Sequence, residues 1–139
     1  MRPRIVVILA VTLALTSIAI FSSAPMMPLA FAAGAQDKPP IQVRMQGKKF
    51  VPDHLTIKAG DTVEWVNEPD GRTHQVTTDP AQATDAGDVQ SPKGAKLFDS
   101  RDIKAGASFR FQFTVPGVYR YACPPHELQG MVGQITVQP

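Results

Sequence analysis

The amino-acid sequence predicts an all-β protein, an antiparallel β-sandwich or barrel. Polar and apolar residues alternate with the period of two that half-buried strands show, most clearly in SFRFQFTV, residues 108–115. Turn signals recur roughly every dozen residues, and the sequence contains no helical period of any length. Several short strands separated by such turns are typical of sandwiches and barrels.

The first strands are predicted between residues 41 and 67. IQVRMQ alternates, and HLTIKAGDTVEWVN, residues 54–67, reads as two strands joined by a tight turn at Ala59-Gly60-Asp61. The positions predicted to share inward faces are Ile41, Val43, Met45, Leu55, Ile57, Val63, Trp65 and Asn67.

Three later strands complete the prediction: SFRFQFTV, then GVYRYAC after a Pro-Gly pair, and GQITV. In the first of them the inward positions are Phe109, Phe111 and Phe113. Parity places Cys123 inward with Tyr121 and leaves Arg120 on the solvent side. Met131 has the parity of Ile135, so it is also expected to point inward.

Residues 79–96, DPAQATDAGDVQSPKGAK, interrupt this pattern. The segment is polar and long for a connection between strands. It is predicted to be either a surface excursion or a short helix.

Residues 1–32 are predicted to be a secretory signal peptide. The chain opens with the basic stretch MRPR, continues into an apolar run of roughly 17 residues, and has an A-x-A site at Ala30-Phe31-Ala32. The run is long for a signal peptide, so an uncleaved membrane anchor is the alternative. Residues 33–40 are predicted to be a linker and 41–139 a single domain. Cleavage after Ala32 would leave about 107 residues, which suffice for one hydrophobic core. The folded part is expected in the periplasm or on the extracytoplasmic face of the membrane.

The charge balance argues against nucleic acid as a partner. The chain has 14 Lys and Arg against 12 Asp and Glu, and the excess is accounted for by Arg2 and Arg4 in the leader. A nucleic-acid binder would show a basic face or tract. The sequence also contains no Gly-rich phosphate loop and no repeat.

Cys123 is the single cysteine of the chain. Exported proteins generally use cysteines in disulfide pairs, so an unpaired one indicates a bridge to another chain, a reactive thiol, a metal ligand or an inert buried residue. His126 and Met131 follow it in CPPHELQGM. Soft sulfur with imidazole selects copper or zinc, and two His, one Cys and a weak axial Met describe an electron-transfer copper site.

A second histidine is needed for such a site, and two remain. His74 stands in a turn-rich loop between strands, where it can be aimed across the end of a sandwich. His54 lies just before a strand and is assigned to the surface. Each residue also has an ordinary interpretation: Cys123 as a buried or catalytic thiol, Met131 as core filler, and His74 as a partner of Asp70 or Glu68.

Zinc is the competing metal. Structural zinc sites are generally four-coordinate with two or more cysteines, which favours copper for this set.

These motifs resemble those of small blue-copper proteins, the cupredoxins of the plastocyanin, pseudoazurin and amicyanin group. The resemblance runs from about Ile41 to Val137. Its most specific part is C-x-x-H-x-x-x-x-M followed by Val-Gly, supported by GDTVEWVN upstream. It implies a Greek-key cupredoxin-like sandwich binding one type 1 copper ion, with His74, Cys123 and His126 as ligands and Met131 as the axial ligand.

Two positions depart from the family pattern around these ligands. Gln75 replaces the asparagine that usually follows the loop histidine, and Pro124 replaces a small polar residue. Proline has no N–H, so the backbone N–H of Gln75 is the expected donor to the Cys123 sulfur.

The resemblance implies a one-electron carrier cycling between Cu(I) and Cu(II), a monomer that is not an enzyme and takes no small-molecule substrate. Redox proteins are the expected partners, by brief contact around His126. An apolar patch of Pro124, Pro125, Leu128, Gly130 and Met131 is expected there. The alternative is an extracytoplasmic copper carrier, and a domain serving a neighbouring oxidase or reductase is a third possibility. A membrane contact is expected only if the leader stays uncleaved.

Overall fold

The computed structural model describes residues 38–139, and these residues fall in one compact unit. The predicted signal peptide, its alternative as an anchor, and most of the linker lie outside the described residues. The described part contains seven strands and two short 3₁₀ segments, Ala86–Asp88 and Pro124–Gln129. The strands are β1 (Ile41–Gln46), β2 (Lys49–Val51), β3 (His54–Lys58), β4 (Thr62–Asn67), β5 (Ser108–Gln112), β6 (Gly117–Ala122) and β7 (Val132–Gln138). Between residues 38 and 139 no helix is long and apolar enough to cross a membrane.

The strands form two sheets, ordered β2-β1-β4-β5 and β3-β7-β6. This confirms the all-β sandwich. The antiparallel expectation holds for three pairs, but β1 with β4 and β3 with β7 are parallel, so both sheets are mixed. Alternation along a strand reports which face is buried and not the direction of the neighbouring strand, which is why the sequence did not show this difference.

The core lies between the sheets and follows the predicted parity. Val43, Met45, Trp65 and Tyr121 are all fully buried. The Trp65 ring packs against four other aromatic rings at centroid distances of 5.4–6.2 Å, those of Phe98, Phe109, Phe113 and Tyr121. This rigid aromatic centre supports the end of the sandwich at which β4 and β6 finish.

The segment 79–96, here called the excursion, is a surface excursion with one 3₁₀ turn. Asp85 caps this turn by accepting a hydrogen bond from the backbone N–H of Gly87. The excursion is attached to the edge of β6, because Gln90 and Arg120 exchange backbone hydrogen bonds of 3.0 and 2.9 Å. The Arg120 guanidinium also reaches the Asp88 carboxylate at 3.3 Å. The excursion therefore covers a strand edge that would otherwise be open.

Candidate metal centre

His74, Cys123 and His126 meet at one end of the sandwich. Their side-chain donor atoms all lie within 4.8 Å of one another. The Cys123 sulfur is 3.7 Å from Nδ1 of His74 and 3.4 Å from Nδ1 of His126. Two metal–ligand bonds of ~2.0–2.3 Å that open at roughly 110–120° separate their donor atoms by about 3.5–3.8 Å. The cluster therefore has the dimensions needed to bind one ion.

His74 is held by the loop that follows β4. It exchanges backbone hydrogen bonds of 3.0 and 2.8 Å with Ile103. The buried side chain of Asn67, at the end of β4, donates to the carbonyls of Arg72 and Ile103 at 2.8 and 2.9 Å. Asn67 thus links the chain just before His74, at Arg72, to Ile103, the residue with which His74 pairs, and so stabilises the position of His74.

Residues 123–131, here called the ligand loop, carry the other donors. The loop is closed on itself by backbone hydrogen bonds from His126 to Cys123 (2.8 Å), from Met131 to His126 (3.3 Å) and from Cys123 to Met131 (3.0 Å). Gly130 has φ = 82°, a left-handed conformation that favours glycine and ends the 3₁₀ helix. Met131 is fully buried, as predicted, and its backbone is tied directly to that of Cys123.

The environment of the thiol suits a cation. The backbone N–H of Gln75 lies 3.4 Å from the Cys123 sulfur, which confirms the predicted donor. Burial raises the pKa of the Cys123 thiol and lowers the pKa values of His74 and His126. The imidazoles are thereby kept neutral with free lone pairs, and a bound metal ion would displace the thiol proton. The chemistry of these three donors fits copper.

The structure separates the remaining histidine alternatives. Within residues 38–139 the His74 ring makes no hydrogen bond with Asp70 or Glu68, and the Asp70 carboxylate is engaged by Arg72 instead. His54 is exposed, 3.2 Å from Asp53, and is not part of the cluster. Its assignment to the surface is confirmed.

Two residues near the cluster were not singled out by the sequence. Asp99 accepts a hydrogen bond of 2.6 Å from the Gln75 side chain and also faces the Arg101 guanidinium at 3.1 Å. Glu127 is buried inside the ligand loop. Neither residue belongs to a sequence motif. Apart from Arg101, the partners of their side chains lie 24 to 43 residues away in the chain, so only the structure reveals these contacts.

The sandwich and the His-Cys-His cluster together define a small blue-copper protein. Residues 40–138 match the family described as copper binding proteins, plastocyanin/azurin family. The chain belongs to this family, and its cofactor is one type 1 copper ion.

Plastocyanins are among the chains it resembles in sequence. It is 38% identical to plastocyanin from Scenedesmus fuscus over 91 residues, which is 64% of this chain and 86% of that one. It is 42% identical to plastocyanin from Nostoc punctiforme over 91 residues, 64% of each.

Its fold is similar to the solved structure of amicyanin. A reduced amicyanin mutant superposes with a TM-score of 0.56 and 26% identity, over 71% of this chain and 82% of amicyanin. The copper-containing nitrite reductase from Thermus scotoductus gives a TM-score of 0.61 and 30% identity, over 81% of this chain but 25% of the reductase. These neighbours agree with the predicted cupredoxin fold.

Proposed function

We propose that this protein is an exported one-electron carrier whose copper ion is held by His74, Cys123, His126 and the axial Met131. The observation that carries the proposal is the convergence of one buried thiol and two imidazoles within 4.8 Å. When bound, the copper supplies the Cu(II)/Cu(I) couple. The protein's part is to hold the donors still in both states and to bring a redox partner close.

The way the ligands are held supports electron transfer. His74 is paired through its backbone with Ile103, and the ligand loop is closed by its own backbone hydrogen bonds. Cys123, His74 and Met131 are fully buried, so they are surrounded by packed neighbours and not by water. Donors fixed in this way move little when the charge of the ion changes, which favours fast transfer and disfavours release of the metal. The structure thus favours an electron carrier over the alternative of a copper carrier.

A docking face is proposed around His126, which is only half-buried. Leu128 beside it is 82% exposed, and Pro125 and Gly130 are also exposed. Met131 is fully buried, so the sequence prediction that it belongs to the surface patch was wrong. A small apolar surface of this kind suits brief contacts, because weak redox complexes bury little area.

Positive charge lies close to this face. Burial is the main cause of the lowered pKa of His126; the charges of Lys48 and Arg72 lower it further, and the charge of Asp70, which pairs with Arg72, raises it. Lys48 and Lys49 are exposed and form no ion pair among residues 38–139. We therefore propose a partner with acidic groups around its own redox centre.

No catalysis is proposed for this chain. The similarity to the nitrite reductase covers only 25% of that enzyme, so this chain resembles one part of the enzyme and not the whole of it. Residues 38–139 contain no second cluster of His, Cys, Asp or Glu that could hold a metal ion. We propose that the protein acts as a monomer that exchanges electrons with separate redox proteins.

The test is the visible spectrum of the protein with Cu(II), before and after ascorbate. An intense blue absorption that bleaches on reduction and returns with ferricyanide is the expected result. Tight copper binding with a pale spectrum would replace this proposal with the copper carrier, and no binding would remove both. Export is tested separately, by the mass and location of the protein in the producing cell. Cleavage after Ala32 and recovery outside the cytoplasm are expected.

A further inference from the structure

Glu127 is a buried carboxylate in the middle of the ligand loop. It stands directly after His126, and only 4% of its surface is exposed. A carboxylate withdrawn from water in this way is costly unless it is hydrogen-bonded or paired. Its partners are therefore informative about what holds the loop.

The partners of Glu127 lie in the excursion, more than forty residues earlier in the chain. The backbone N–H of Thr84 donates to Oε2 at 2.7 Å, and that of Asp85 donates to Oε1 at 2.9 Å. The Thr84 hydroxyl also donates to the carbonyl of Pro124 at 3.2 Å. Three hydrogen bonds thus join the excursion to the ligand loop, and two of them are charge-assisted.

These bonds have few substitutes. Pro124 and Pro125 have no backbone N–H, so the first turn of the loop cannot donate to a neighbouring segment. The remaining backbone hydrogen bonds of the loop run mainly within it, between Cys123, His126 and Met131. The two ends of the loop are fixed by the pairing of β6 with β7 at Ala122 and Val132, so contacts from outside act on its middle part, which contains His126 and Glu127.

The excursion is well placed to supply such contacts. Gln90, in its second half, is anchored on β6 by backbone pairing with Arg120. Thr84 and Asp85, in its first half, donate to Glu127. It thus forms a brace from β6, which precedes Cys123, to the 3₁₀ segment Pro124–Gln129, which contains both His126 and Glu127.

We propose that Glu127 is a positioning residue for the copper centre and that the excursion is the brace on which it acts. This inference rests on the proposed ligand set. The carboxylate fixes the 3₁₀ turn that carries His126 by holding two successive amides of the excursion. Because Glu127 directly follows the proposed ligand His126, its carboxylate would also stabilise a bound Cu(II) ion relative to Cu(I).

The test uses Glu127→Gln in the copper-loaded protein. A glutamine keeps the size of the side chain but can accept from only one of the two amides and turns an NH₂ group toward the other. Hydrogen exchange of the Thr84 and Asp85 amides is expected to accelerate about tenfold or more, with and without copper. Copper release to a chelator is expected to accelerate, and the reduction potential is expected to rise.

Glu68→Gln is the matched control. Glu68 also lies near the ligand end, following Asn67, but its carboxylate contacts the side chains of Gln46 and Arg44 and not the ligand loop. This variant loses the same charge and is expected to leave amide exchange at Thr84 and copper release unchanged. A merely general effect of charge or stability would move both variants together, and that result would overturn the proposal.

If Glu127→Gln does not fold, Thr84→Val tests the contact between the excursion and the ligand loop. It removes the hydroxyl bond to Pro124 and leaves the carboxylate and its charge in place. Faster copper release with a smaller change in potential is expected. Unchanged release in a folded variant would overturn the part of the proposal in which the excursion braces the ligand loop through the Thr84 hydroxyl. Failure of the ligand set is distinguishable, because the unmodified protein would then lack the reversible blue colour.

Discussion

The backbone N–H of Gln75 points at the Cys123 sulfur from 3.4 Å, across 48 residues of chain. It is a donor that the two prolines after the cysteine cannot replace. The Gln75 side chain donates to Asp99 at 2.6 Å, so this contact helps to hold the donor, together with the backbone pairing of His74 with Ile103. Asp99 is not part of the cluster of His74, Cys123 and His126, and we expect it to influence the thiolate through Gln75.

Asp99→Ala tests this dependence. Gln75 would lose its anchor and Arg101 its partner, so we expect the unfolding free energy to fall by about 1–3 kcal/mol. The blue absorption and the reduction potential should both shift while copper stays bound. Asp102→Ala is the control, since Asp102 is exposed and, among the residues that the structure describes, pairs only with Lys104. Equal spectra for both variants and the unmodified protein would remove Asp99 from the tuning of the site.

Cys123→Ser tests the thiolate. The serine oxygen does not provide the soft, strongly coloured bond to copper, so the intense visible absorption is expected to vanish. The apo protein should keep its β-sheet circular dichroism, because the substitution changes one atom in a fully buried position. A variant that keeps the intense colour would show that another residue provides the ligand.

Met131→Leu tests the axial position. Leucine has nearly the same volume, so packing should be disturbed by less than about 1.5 kcal/mol. Copper and blue colour should be retained, and the reduction potential should change, since the axial ligand tunes it. Cyclic voltammetry provides the measurement. Complete loss of copper binding would contradict a weak axial role.

Much of this site follows from the sequence. The cysteine, the second histidine and the methionine stand within nine residues, and strand parity showed that Cys123 and Met131 point inward. The contacts that support the ligands did not follow, because Asp99 with Gln75 and Glu127 with Thr84 are joined across folded loops of irregular shape. Alternation has a period only within strands, so it carries no information about such pairs.

The fold shows the same division. The inward positions predicted for β1 and β4 are buried except Ile41, and those of β5, Phe109 and Phe111, are half-buried against the core, in the alternation expected of a local property. The parallel pairing of β1 with β4 and the short β2 were not predicted. Pairing partners are chosen by the packing of the whole chain, which no short window of sequence contains.

Glu64→Gln tests the acid dependence of stability. Glu64 is buried, and its hydrogen bond with Arg110 is the main reason that the pKa of its carboxyl lies below the ordinary value, with help from Ser108 and Gln42. A lowered folded-state pKa gives stability that is present above the ordinary value and is lost as the pH falls through the folded one.

The variant is therefore expected to be about 1–3 kcal/mol less stable than the unmodified apo protein at neutral pH. The difference should shrink as the pH falls below 4.5, the ordinary pKa of a glutamate carboxyl, toward the lowered pKa of the folded state. Urea denaturation across this range measures it. A difference of constant size from neutral pH to about pH 3 would show that packing, and not the carboxylate charge, is responsible.

The pairing of β3 with β7 has a consequence for how the protein matures. In the described part of the chain, β3 has β7 as its sheet neighbour, with Leu55 opposite Ile135, about 80 residues further on. The second sheet therefore closes only after the last strand has been made, and such long-range closures are slow. During that interval the thiol of Cys123 is accessible to oxidants in any oxidising compartment. Closure of the second sheet therefore also protects the thiol, because Cys123 is fully buried in the folded protein.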